Sequence, residues 1–113
     1  MLLLCNYASI THAVTPCDHL AALEADPLST SKSVDFSDLN AKLVISKCTE
    51  AIRISDNKVD EARFTLQRAR GYFRAGEVGS AINDLLAAYA LGYPAAYFGL
   101  ATAYLLGEGI DKD

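Results

Sequence analysis

The feature that most constrains this chain is a self-similarity. In the stretch from Arg63 to Gly109 and the residue that follows it, Ala69, Tyr72 and Val78 return in kind as Ala101, Tyr104 and Ile110, each 32 residues later. A period of this length belongs to architectures built from helix pairs, in which a unit that cannot bury its own apolar face stacks on a neighbour. The stretch therefore predicts a piece of an α-solenoid. Such a piece supplies a surface more readily than a reaction, and no ligand is spelled out in its residues.

Hydrophobic spacing divides the rest of the chain. Pro16, an acidic first turn, and Leu20, Leu23 and the alanines between them predict a short helix that Asp26-Pro27 ends. Residues 26–37, DPLSTSKSVDFS, have no period and predict a long loop, pinned to the core by Val34 and Phe36. From an N-cap at Asp38 or Asn40, Ala41, Val44, Ile45, Cys48, Ala51 and Ile52 predict a helix ending near Ser55. The next is expected over 59–75, with Ala62, Leu66, Ala69, Tyr72 and Phe73 inward and Gly76 as its left-handed terminator. Another over 77–91 buries Val78, Ala81, Ile82, Leu85, Ala88 and Tyr89. Gly92 stops it, and Pro94 opens a last helix to Leu106. No segment alternates with a period of two for long enough to be a strand.

At 113 residues, 51% of them hydrophobic, the chain suits one small α-domain. Its formal charge of −4 has the wrong sign for phosphate contacts, which sets nucleic acid aside. No apolar run approaches the ~18 residues of a membrane span. Residues 1–13, MLLLCNYASITHA, resemble the back half of a secretory signal ending after Ala13, although a basic start is missing. The alternative is a weakly docked N-terminus. Residues 14–113 then form the single helical domain, either periplasmic or secreted or, without export, cytoplasmic.

The unit from Ala62 to Gly92 resembles the tetratricopeptide repeat, through Ala69, Tyr72, Gly76 and Ala81, then Leu85 and Ala88. It departs from that pattern at Arg68, where a large apolar residue is expected. The last stretch is more similar to the Sel-1-like repeat, through Ala96, Leu100, Ala101, Tyr104, Gly107, Gly109, Ile110 and Asp113. A fainter copy precedes both, with Ala41, Ile45 and Cys48 standing 40 residues before Ala81, Leu85 and Ala88. The start Cys17-Asp18-His19-Leu20-Ala21 resembles the cap of exported bacterial proteins with Sel-1-like repeats. The resemblance implies an all-α fold, a tetratricopeptide-like right-handed α-solenoid of antiparallel helix pairs, its last repeat incomplete. It also makes the helices of Cys17 and Cys48 neighbours, so that a disulfide between them is expected, against the alternative of two buried thiols.

Cys17, His19, His12 and Cys48 match no zinc spacing, and no cofactor is expected. Nothing orients a Cys–His nucleophilic pair, and the Gly107-Glu108-Gly109 turn follows a helix, unlike a phosphate cradle. Arg63, Gln67, Arg70 and Arg74 share one face of a helix at offsets of 4, 7 and 11. In tetratricopeptide-like repeats that face lines the concave groove, so the resemblance implies a basic stripe for an acidic peptide or C-terminus. Phe98 and Thr102, with Leu105 and Leu106, would form the other wall. The alternative is a solvated face whose arginines suit the helix dipole.

These residues predict a non-catalytic adaptor for a protein or peptide partner, with self-association through the uncapped last helix. The alternative is an accessory region of a larger enzyme or a cysteine-rich Sel-1-like hydrolase of the β-lactamase kind. Those hydrolases carry a bridge in each repeat, whereas this chain has no cysteine after Cys48.

Overall fold

The computed structural model describes residues 14–106. The leader-like segment with Cys5 and His12, the turn at Gly107 and Gly109, Ile110 and Asp113 lie outside the described residues, as does the side chain of Leu106. Among the described residues all regular structure is helical: α1 (Pro16–Ala21), a 3-10 turn (Phe36–Asp38), α2 (Ala41–Ile54), α3 (Lys58–Arg74), α4 (Val78–Ala90) and α5 (Pro94–Leu106). Helix α2 packs on α3, α3 on α4 and α4 on α5, while α1 lies against both α2 and α3.

Each boundary has a local cause. The Asn40 side chain accepts from the Leu43 N–H and the Asn57 side chain from that of Asp60, so both helices start on a side-chain cap. Gly76 and Gly92 adopt φ of +79° and +80°, the left-handed geometry that ends α3 and α4. Thr15 and Asp18 form a reciprocal capping box at the start of α1, with Pro16 in its first turn.

The expected first helix is shortened. It stops at Ala21 because Ala22 is extended, with ψ of 138°. The Ala22 carbonyl accepts from the Val34 N–H, and the Arg70 guanidinium takes the carbonyls of both Ala21 and Ala22. Local spacing favoured another turn, and a distant cation removed the carbonyls that turn required.

Two apolar clusters result. One joins Cys17, Ala21, Leu39, Val44, Cys48, Ala51 and Phe64; the other joins Ala62, Leu66 and Ala69 with Ile82, Leu85, Ala88 and residues of α5. Small residues set the helix separations. A Cβ on Gly71 would meet Val44 Cγ1 at 2.6 Å, and one on Gly99 would meet Leu85 Cδ2 at 2.9 Å. Of the residues expected inward, Tyr89 is instead 45% exposed, its ring edge-on to Tyr97 at 4.7 Å. Phe36 also lies open, under Arg74, while Val34 is half-buried as expected.

Cys17 and Cys48 form a disulfide, with Cα atoms 4.6 Å apart and 31 residues between them in sequence. Both are fully buried, so α1 is held covalently to α2. Closing a loop of this length should contribute about 3 kcal/mol in the chain-entropy model. Chemical unfolding with and without reductant is expected to show that difference, and Cys48→Ala should be insensitive to reductant.

Candidate functional site

The four residues of the α3 stripe do lie along one face, but the chain's own N-terminal segment occupies it. Arg63 and Gln67 are fully buried. Arg63 Nε donates to Asp18 Oδ1 at 2.8 Å and Nη1 to Asp60 Oδ1 at 2.7 Å. Gln67 Nε2 donates to Asp18 Oδ1 and to Cys17 Sγ, each at 3.1 Å. Arg70 is half-buried and donates to the carbonyls of Ala21, Ala22 and Val34 at 2.8–2.9 Å. Arg74, exposed, reaches the Ser37 carbonyl at 3.2 Å. Arg63 and Gln67, expected as groove-facing contacts, are instead enclosed, with their hydrogen bonds directed to Cys17, Asp18 and Asp60.

The electrostatics follow from this packing. Burial pushes the Asp18 carboxyl up, but the Arg63 hydrogen bond, the Thr15 main chain, the Arg63 charge and Gln67 together hold it below its usual range. Burial likewise works against the Arg63 cation, and its hydrogen bonds to Asp18 and Asp60 outweigh that. Arg68, the departure from the tetratricopeptide pattern, grips Asp84 of α4 through Nε and Nη2 at 2.8 Å each and donates to Thr49 of α2. It ties three successive helices at the place where an apolar side chain would join two.

Sequence reasoning missed one buried contact. Tyr93 Oη donates to Asp26 Oδ2 at 2.7 Å, with both residues buried, and Asp26 Oδ1 accepts from the Leu28 N–H. Burial and then the Asp26 hydrogen bond push the Tyr93 phenol well above its ordinary value. The long loop is thus anchored to the α4–α5 turn. The signal was present as a buried-type aromatic between Gly92 and Pro94, but nothing local named its partner.

What remains accessible is a groove of about 490 Å3 beside α5. Phe98, Thr102 and Ala103 line one side, Phe73 and Arg70 of α3 another, and Leu23 and Phe36 come from the N-terminal segment. Beyond the groove, α5 exposes Tyr97, Tyr104 and Leu105, and Phe98 at the groove's edge is exposed as well. No set of three His, Cys, Asp or Glu side chains among the described residues is placed to hold a metal ion. No helix among them is long and apolar enough to cross a membrane. Comparison with protein-family models, with curated proteins and with solved structures gave no match.

Removing one partner of the buried pair leaves the other uncompensated, so Asp18→Asn and Arg63→Met should each cost about 3–5 kcal/mol by chemical unfolding. The pH dependence has a definite sign. Because the folded Asp18 value is depressed, its contribution is present above the unfolded value of about 4 and fades as pH falls through the folded one. The wild type should therefore lose stability below about pH 4 more steeply than Asp18→Asn.

Proposed function

We propose that the chain is a non-catalytic interaction module, a right-handed tetratricopeptide-like solenoid segment of the Sel-1-like kind, whose open α5 face receives a helical protein partner. One observation carries this reading: residues in the same repeat register are unequally buried. Leu66 and Phe98, Ala69 and Ala101, and Phe73 and Leu105 are each 32 residues apart. Leu66 and Ala69 are buried in the cluster that includes Ile82 and Leu85 of α4, and Phe73 packs against it. Phe98 is instead 54% exposed, Leu105 75%, and Ala101 is open.

The opposite side of the repeat does not differ in this way. Gly71, which packs on Val44 of α2, and its equivalent Ala103 are both buried. Helix α5 packs on the helix before it, as α3 packs on α2, while the face that α3 covers with α4 stays open among the described residues. No charged residue occurs in α5. A helix that is apolar all round is a buried helix, and leaving it bare forfeits about 25 cal/mol for each Å2 of apolar surface. A partner helix bearing small and aliphatic residues, as α4 bears Ala81, Ile82, Leu85 and Ala88, fits that face.

The acidic peptide expected before the arginine stripe is less well supported, because two of its four contacts, Arg63 and Gln67, are buried under α1. The Cys17–Cys48 bridge supports export to an oxidising compartment, periplasmic or extracellular. In isolation, the open face should drive self-association. Light scattering during size exclusion is expected to give a mass that rises with concentration. Leu105→Asp should be monomeric with stability changed by less than about 0.5 kcal/mol, since the site is exposed. A wild-type chain that stays monomeric at millimolar concentration and binds no apolar dye would sink the reading.

A further inference from the structure

The groove beside α5 has the volume of a small-ligand site, about 490 Å3. Its lining is apolar apart from Arg70 and Thr102 among the described residues. That composition bears directly on what can fill it. Every residue of a bound peptide brings a main-chain donor and acceptor. The main chains of α3, α4 and α5 are engaged in their own helices, and the Leu23 and Phe36 carbonyls accept from the Asp26 and Leu39 N–H groups; the polar side chains in the described lining are the Thr102 hydroxyl and the Arg70 guanidinium. An extended peptide would leave most of its amide groups unmet, whereas an alkyl chain has none.

Charge supplies the second constraint. The chain has five arginines. Arg53 pairs with Glu50, Arg63 with Asp18 and Asp60, and Arg68 with Asp84. Among the described residues, Arg70 and Arg74 donate only to main-chain carbonyls. Both stand at this groove: Arg70 lines it, and the Arg74 guanidinium lies 5.7 Å over the ring of Phe36, another lining residue. Asp35 is the acidic group whose charge Arg70 feels, without a hydrogen bond between them. A guanidinium has five N–H donors and Arg70 directs three hydrogen bonds to carbonyls, so donors remain for an incoming anion. In an acidic chain, two arginines with no carboxylate hydrogen-bonded to them among the described residues flank one apolar groove.

We infer that this groove binds a free medium-chain fatty acid, its alkyl chain along Leu23, Phe73, Leu85 and Phe98 and its carboxylate on Arg70 and Arg74. This occupant shares Phe98 with the protein partner proposed for α5, whose other contacts, Ala101 and Leu105, lie outside the groove lining.

The test is a titration of the disulfide-bonded chain with decanoate, kept below its micellar concentration and followed by amide chemical shifts. One saturable site is expected, with shifts centred on α3, α5 and the loop around Phe36. The uncharged 1-decanol should bind at least about ten-fold more weakly, because it lacks the charge-assisted contact. Thr102→Phe, which leaves both arginines in the sequence and adds a ring to the groove lining, should abolish binding while the circular dichroism spectrum is unchanged. Arg74→Gln, at an exposed position, should weaken decanoate about five-fold and leave 1-decanol unaffected. Leu105→Asp should bind decanoate as the wild type does, so that this site and the α5 partner face fail or succeed independently. Equal affinity for 1-decanol, binding that survives Thr102→Phe, or no saturable decanoate site would each overturn the inference. Tighter binding of an apolar peptide ending in a carboxylate would overturn it in favour of a peptide.

Discussion

The position of α1 depends on one buried guanidinium. Arg63 is enclosed by protein and meets Asp18 of α1 and Asp60 of its own helix. A buried cation is costly unless paired and hydrogen-bonded, so the fold requires Asp18 at that spot. Asp18 is itself committed there, since it also closes the capping box that starts α1. Its neighbour Cys17 is bonded to Cys48, and Gln67 spans the Cys17 sulfur and the Asp18 carboxylate. Consecutive residues thus carry a covalent and an ionic attachment, which explains how a helix of six residues holds a fixed place.

Much of the helical layout was legible because its punctuation is local. Asn40 as a cap, Gly76 and Gly92 as left-handed stops and Pro94 as a start each act through their own backbone, and each was read correctly. The end of α1 was misread for the opposite reason. Its terminator is Arg70, about fifty residues away, drawing the Ala21 and Ala22 carbonyls out of helical geometry. The Cys17–Cys48 pairing came from repeat register and resemblance, which local spacing alone could not have supplied.

The candidate site was harder to read, and the stripe on α3 shows why. Offsets of 4, 7 and 11 place four side chains on one face whether that face meets a ligand, solvent or another part of the chain. The choice rests on where residues 26–37 run, and that segment has no hydrophobic period to reveal its path. Asp26 held by Tyr93, and Val34 bonded to Ala22 and Arg70, are what fold it back across α3. For α5 the difficulty ran the other way. An uncharged sequence predicts burial, and the exposed Phe98, Tyr104 and Leu105 became informative only once α3 showed how the equivalent residues are covered.

The same arginines therefore serve the fold and the groove. Arg70 fixes the end of α1 and, through Val34, the path of the loop that brings Phe36 to the groove's edge. Arg74 holds that loop at Ser37 and stacks on Phe36. Among the described residues neither hydrogen-bonds to a carboxylate, and main-chain carbonyls place both guanidinium groups without cancelling their charge. Had Asp or Glu side chains held the loop instead, it would be equally anchored and the groove would be electrically neutral. Anchoring through carbonyls keeps the positive charge at the mouth of an apolar groove, and the disulfide and the Asp18–Arg63 pair keep the loop's starting point in register with it.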